Sequence, residues 1–151
     1  MEITDGMCFN SQNSKILYKR EINKKIAKEV INKFIEYGGK LPDIRIANGE
    51  NIFAYPTDEV KKYYENNEGV IYKEDTDNLD DIDITKITLT GSHKLIERLN
   101  KYIRDNVRGY KTHMGATAFP SNKNNNYRLD FTRKSYKGKC FPGIKRKTRL
   151  R

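Results

Sequence analysis

The chain has 151 residues, 36% of them hydrophobic and 33% charged, with a formal net charge of +10. This length predicts one domain with a single modest core. No apolar run approaches the about 20 residues that span a bilayer, and the N-terminus has no apolar signal stretch. We therefore expect no membrane association and no visible export signal, and hence a cytoplasmic or virion location.

The charge is divided unevenly along the chain. Residues 1–83 contain 12 Lys/Arg and 17 Asp/Glu, whereas residues 84–151 contain 18 Lys/Arg and 3 Asp/Glu. Such a division is typical of a protein with one half that faces a polyanion and one ordinary half.

The first half begins with two short candidate strands, Glu2–Thr4 and Lys15–Lys19. Residues 21–37 follow with apolar side chains at helical spacing, and Gly38 and Gly39 end the pattern. The apolar positions of this predicted helix are Ile22, Ile26, Val30, Ile31, Phe34 and Ile35. The wide apolar stripe indicates a helix packed against the core.

Residues 44–55 show the clearest hairpin pattern, because Asn48 and Gly49 separate two apolar segments and tolerate the positive φ of a tight turn. Thr57 is placed to cap a short helix that reaches about residue 66, and Val70–Tyr72 is a further short strand. Residues 74–83 carry six carboxylates and no cation, which predicts a solvated loop.

The segment 84–107 is predicted to be a strand that turns directly into a helix. Ile87 and Leu89 alternate with threonines, and Ser92 follows Gly91 as a candidate N-cap. The helix repeats its apolar side chains at Leu95, Ile96, Leu99, Ile103 and Val107. Its cations fall mostly on the other side, so it has one apolar and one cationic face.

After this helix, residues 110–126 show no clear period and predict a long exposed loop. Residues 127–132 alternate apolar and polar side chains and predict a last strand. The sequence thus predicts a single α+β domain with a small, mostly antiparallel sheet and about three helices on one face. We place this domain at residues 1–137 and a basic C-terminal tail at residues 138–151.

From residue 106 onward, 13 Lys/Arg face a single acid, Asp130, with aromatic residues between them. Cations neutralise phosphates and aromatic rings stack on unpaired bases. We expect the polyanion to contact Lys94, Arg98, Lys101, Arg104, Arg108, Lys111, Arg128, Arg133, Lys134, Lys137, Lys139, Lys145, Arg146, Lys147, Arg149 and Arg151. The partner is expected to be nucleic acid or an acidic protein surface. A homo-oligomer or a larger assembly is a further expectation.

Three short patterns suggest chemistry but lack a part that the chemistry needs. Residues 90–94 join a strand to a helix start, yet the second glycine of a phosphate-binding loop is missing, which favours a plain turn. Pro42 and Asp43 with Glu59 and Lys61 resemble the PD-(D/E)xK nucleases, but the second motif follows a helix start instead of lying on a strand. The acidic loop from residue 75 fails as a calcium loop because position twelve is Lys86.

The histidine and cysteine side chains show no spacing that is typical of a catalytic or metal site. His93 and His113 are the only histidines, and Cys8 and Cys140 have no metal-ligand spacing. We therefore expect no catalytic residues, no metal and no cofactor.

The sequence leads to a non-enzymatic accessory protein that docks on nucleic acid or a nucleoprotein assembly, with a phage or viral source. The first alternative is a virion structural or interaction protein, or an inhibitor of a host nucleoprotein enzyme, whose basic tail binds a neighbouring protein. The second alternative is a small nuclease that would use the carboxylates and histidines named above.

Overall fold

The computed structural model describes residues 2–4, 7–10, 15–19, 21–76, 79–120 and 126–134. In chain order the elements are β1 (Glu2–Thr4), β2 (Met7–Asn10), β3 (Lys15–Lys19), α1 (Lys24–Glu36), β4 (Ile44–Ala47), β5 (Ile52–Ala54), α2 (Asp58–Tyr63), β6 (Val70–Tyr72), β7 (Lys86–Gly91), α3 (His93–Asn106), β8 (Tyr110–Thr117) and β9 (Asn126–Arg133). One turn of 3-10 helix, Leu41–Asp43, precedes β4. The described strands form a three-stranded sheet, β1-β2-β3, and a six-stranded sheet in the order β6-β5-β4-β7-β9-β8.

The six-stranded sheet is mixed. All its pairs are antiparallel except β5 with β6, which run parallel because α2 carries the chain back between them. The predicted single α+β domain with three helices is confirmed, but of the described helices only α1 and α3 pack on the core face, whereas α2 packs in a separate cluster. The sheet is larger than the small, mostly antiparallel one that we expected. The predicted basic tail, residues 138–151, lies outside the described residues.

Strand β8 corrects the prediction of a loop from residue 110. Tyr110–Thr117 pairs with β9 along its whole length. Tyr110 and Met114 pack against the core, while Lys111 and His113 are exposed. The alternation is therefore present, but β8 is an edge strand whose inward side chains are only half buried. This leaves too few apolar residues for a strand pattern to stand out.

The core lies between one face of this sheet and the helices α1 and α3. Its helical side chains include Ala27, Val30, Ile31 and Phe34 from α1 and Ile96, Leu99 and Ile103 from α3. Its strand side chains include Ile44, Ile46, Ile87, Leu89, Leu129 and Phe131. Each of these strands contributes every second residue, as a sheet buried against helices on one face requires.

The helix ends follow from local hydrogen bonding. The Asn23 side chain accepts from the backbone N–H of Lys25 at 2.8 Å and caps α1. The Ser92 hydroxyl accepts from the N–H of Leu95 at 3.1 Å, so the predicted cap of α3 forms. Gly109, with φ +88°, reverses the chain into β8. None of the described helices is long and apolar enough to cross a membrane.

Leu99→Ala is expected to lower the free energy of unfolding by about 2–5 kcal/mol, because Leu99 is fully buried between α3 and the sheet. Lys101→Ala is the matched control on the same helix. Its side chain is exposed and, among the described residues, forms an ion pair with the exposed Asp105 alone, so the change should stay below about 0.5 kcal/mol. Chemical denaturation of the three proteins checks this, and equal losses would mean that the faces of α3 are assigned wrongly.

Candidate functional site

The sheet face opposite α1 and α3 carries polar side chains. Because Ile44, Ile46, Ile87, Leu89, Leu129 and Phe131 point toward the helices, their neighbours along each strand point the other way. We call this surface the open face and define it by Arg45 of β4, Lys86, Thr88 and Thr90 of β7, Lys111 and His113 of β8, and Arg128 and Asp130 of β9.

Hydrogen bonds fix the centre of the open face. Thr88 and His113 lie opposite Asp130 in the two neighbouring strands. The Thr88 hydroxyl donates to Oδ1 of Asp130 at 2.9 Å, and Nε of Arg128 donates to Oδ2 at 3.1 Å. Both carboxylate oxygens of Asp130 therefore accept bonds from neighbours on the same face. The result is a preorganised cluster of polar side chains.

Arg128 is held at a second point as well. Its Nη1 donates to the backbone carbonyl of Ala116 at 3.1 Å. Gly115 faces Arg128 across the β8–β9 pair, and a Cβ at Gly115 would lie 3.1 Å from Nη1. The glycine therefore leaves the space that the guanidinium occupies.

Arg45 is stabilised by neutral groups. Its Nη1 donates to the Tyr64 hydroxyl at 3.3 Å and its Nη2 to the Thr90 hydroxyl at 3.4 Å. The guanidinium carbon lies 3.8 Å from the centre of the Phe119 ring. No carboxylate pairs with Arg45 among the described residues, and its buried Nε has no hydrogen-bond partner there. Arg45 therefore has no ion-pair partner within the described part of the chain, and Asp43 is an acid close enough to interact with its charge.

An apolar cluster closes one side of the open face. Ala54, Val60, Tyr64 and Phe119 are buried together where α2 covers the β5 end of the sheet. A cavity of about 230 Å³ lies beside it, lined by Arg45, Tyr64, Lys86 and Thr88 and by the β4–β5 hairpin. The carboxylate that lines this cavity, Glu50, is exposed in the hairpin.

The open face has four cations, Arg45, Lys86, Lys111 and Arg128, against the carboxylate of Asp130. A cationic surface with polar groups held in place can bind and orient an anion. No three His, Cys, Asp or Glu side chains are grouped to hold a metal ion within the described residues.

The structure distributes the described cations of the predicted polyanion-binding set over several places. Lys94, Lys101 and Arg104 are exposed on α3, and Arg98 stacks on the Tyr37 ring at 3.9 Å. Arg128 belongs to the open face, and Arg133 donates to the carbonyl of Glu21. Arg104, Arg108, Lys111 and Lys134 line a groove between α3 and β8. The predicted residues Lys137, Lys139, Lys145, Arg146, Lys147, Arg149 and Arg151 lie outside the described residues.

Sequence analysis missed Arg45, Lys86, Thr88 and the positioning role of Asp130. Their signal was the alternation with Ile46, Ile87 and Leu89, which predicts that they share the face away from the core. Arg45 lies in the first half of the chain, which has a net negative charge. The uneven charge of the two halves therefore gave no indication that Arg45 contributes to a cationic surface.

The short patterns are placed as turns and helix residues. Ser92 caps α3, and the His93 ring stacks on Tyr127 at 4.3 Å. Glu59 and Lys61 lie in α2 and not on a strand, as their sequence context predicted. Burial raises the pKa of Asp43, with the nearby Lys40 and Arg45 acting in the opposite direction.

Comparison with known proteins identifies relatives of this fold. A family model described as haloacid dehalogenase-like hydrolase matches residues 4–136. A haloacid dehalogenase-like hydrolase from Bacteroides thetaiotaomicron aligns with 85% of this chain and 45% of its own at 16% identity and a TM-score of 0.57. A haloacid dehalogenase-like hydrolase from B. subtilis aligns with 83% of this chain and 50% of its own at 12% identity and a TM-score of 0.53. No curated protein matches the sequence.

The chain therefore spans about half the length of these two structures, and the likeness to them concerns the fold. The family match overturns the expectation of a non-enzymatic accessory protein from a phage or virus. It also overturns the alternative of a virion structural protein or an inhibitor, because the matches point to an enzyme. The prediction failed because clustered cations indicate a positive surface potential, which does not distinguish an enzyme from a binding protein.

Asp130→Ala is expected to destabilise the fold by roughly 1–3 kcal/mol, because Thr88 and Arg128 lose their acceptor at a half-buried position. Asp105→Ala is the matched control, since Asp105 is exposed and its ion pair within the described part of the chain is with Lys101 on α3. Its effect should stay below about 0.5 kcal/mol. Urea denaturation of both variants measures the difference. An Asp130 variant as stable as the Asp105 variant would show that the cluster does not hold the open face.

Proposed function

Because the chain belongs to the haloacid dehalogenase-like hydrolase family, we propose that it takes part in the hydrolysis of an anionic substrate. The substrate binds to the open face of this chain. The observation that supports this most is the charge of the open face, which carries four cations, Arg45, Lys86, Lys111 and Arg128, and the carboxylate of Asp130. Substrates with a negative charge are attracted to such a surface and are oriented by charge-assisted hydrogen bonds.

Arg128 is the residue best prepared to hold the substrate. Its Nε and Nη1 are bound to Asp130 and to the Ala116 carbonyl, so the side chain is fixed before any ligand arrives. A guanidinium held in this way loses little conformational entropy when it binds an anion. Arg45 lines the neighbouring cavity and adds a positive charge that forms no ion pair with a carboxylate among the described residues.

Asp130 acts as a positioning residue in this proposal. Its two oxygens accept from Thr88 and Arg128, which leaves the carboxylate poorly suited to attack a substrate or to remove a proton from water. We assign binding and orientation to the open face. The groups that break the bond are assigned to residues outside this face.

Binding of inorganic phosphate at low ionic strength, followed by amide chemical shifts, tests the proposal. Shifts should be saturable and centred on β7, β9 and the β4–β5 hairpin. Arg128→Gln should weaken the affinity about ten- to hundredfold, the loss expected for a hydrogen bond to a charged group. Lys94→Gln removes the same charge from the exposed N-terminal turn of α3 and should change the affinity less than twofold.

Hydrolysis is tested with two chromogenic esters, p-nitrophenyl phosphate and the uncharged p-nitrophenyl acetate. The anionic ester should be cleaved preferentially, and Arg128→Gln should raise KM more than it lowers kcat, as the loss of a binding residue does. Preference for the uncharged ester, or equal weakening by Arg128→Gln and Lys94→Gln, would contradict the proposal.

A further inference from the structure

A second cationic feature lies between α3 and the edge strand β8, and it shares Lys111 with the open face. The groove there has a volume of about 700 Å³. Arg104 and Arg108 line it from the end of α3, and Lys111 lines it from β8. The buried side chains of Ile103 and Val107 contribute apolar surface to it. The groove is thus cationic at its rim and partly apolar at its base.

The acid that lines the groove does not neutralise it. Asp105 is 3.0 Å from Nζ of Lys101, on the neighbouring turn of α3. Arg104 lies in the last turn of α3 and Arg108 follows the helix, and both are exposed and line the groove. The rim therefore presents positive charge to whatever enters.

Strand β8 adds backbone hydrogen-bonding groups. Within the described part of the chain, its eight residues pair only with β9, and β8 ends the order of the sheet. In an antiparallel pair, alternate residues direct their N–H and C=O groups away from the partner strand. These groups form an open edge about 26 Å long that a further strand can join.

We propose that this groove binds an acidic, extended segment of a partner protein, which adds to β8 as a seventh strand of the sheet. Backbone hydrogen bonds to β8 would supply affinity, and carboxylates that meet Arg104, Arg108 and Lys111 would supply selectivity. Lys111 borders both this groove and the open face, whereas Arg104 and Arg108 belong to the groove alone, so substitutions of these two arginines test the groove without altering the substrate site.

Charge decides between this partner and the other occupants. A second copy of the chain would bring a second set of the same cations, Arg104, Arg108 and Lys111, to this edge, so like charges would oppose pairing. Residues 135–151 of this chain contain seven Lys/Arg and no acid, which disfavours them in the same way. Nucleic acid is an anion but has no amide backbone with which to extend a sheet.

The test uses a fluorescein-labelled octapeptide of alternating Glu and Thr, and its Lys–Thr analogue, with the full chain in anisotropy titrations. The acidic peptide should bind saturably and at least tenfold more tightly than the Lys peptide. Arg104→Gln with Arg108→Gln should weaken binding at least tenfold. Lys25→Gln with Lys94→Gln is the matched control, because it removes two exposed cations that do not line the groove. It should change binding less than twofold.

N-methylation separates strand addition from simple charge attraction. Two further acidic peptides are methylated at alternate backbone nitrogens, one in each register, and at least one should bind tenfold more weakly than the parent. Equal binding of all three peptides would overturn the proposal. Competition by an oligothymidylate of the same length at equal concentration would also overturn it. Failure of the acidic peptide to bind would overturn it as well. A native mass that shows a dimer under the conditions of the titrations would assign the edge to a second copy.

Discussion

Strand β7 is buried on both sides, and its two sides carry different chemistry. Ile87 and Leu89 lie in the core between the sheet and the helices, whereas Thr88 and Thr90 are buried on the opposite face. A register shift of one residue would exchange the two sets and place Lys86 against the core. The pairing of β7 with β4 and β9 therefore sets the core and the open face together.

This constraint explains how the open face keeps a positive charge in partly buried surroundings. Arg45 is not neutralised by a described acid. It is stabilised by two hydroxyl acceptors and by the face of an aromatic ring. Arg128 differs, because it forms an ion pair with Asp130 and donates to the neutral carbonyl of Ala116. Neutral acceptors satisfy buried donors without cancelling their charge, so the positive potential of Arg45 remains available to a ligand.

The sequence predicted most of the elements that have strong local patterns. The helices α1 and α3, the hairpin of β4 and β5, and β7 each combine a clear period with a cap or a turn residue. It did not predict β8, whose inward side chains are half buried at the edge, or the parallel direction of β6, which depends on how α2 packs. The open face was missed for a related reason. Its members lie on four strands far apart in sequence, and only pairing brings them together.

The position of β7 has a consequence for the order of folding. Its two neighbours lie on opposite sides of it in sequence: Arg45 is 45 residues from Thr90, and Thr88 is 42 residues from Asp130. Helix α1 and the β4–β5 hairpin rely on local contacts, so they can form early, but the centre of the sheet requires two long-range closures. During synthesis β7 emerges well before β9, so its apolar side stays incompletely covered until β9 pairs with it. The threonines on its other side reduce the tendency to aggregate in that interval, because the exposed strand is only half apolar.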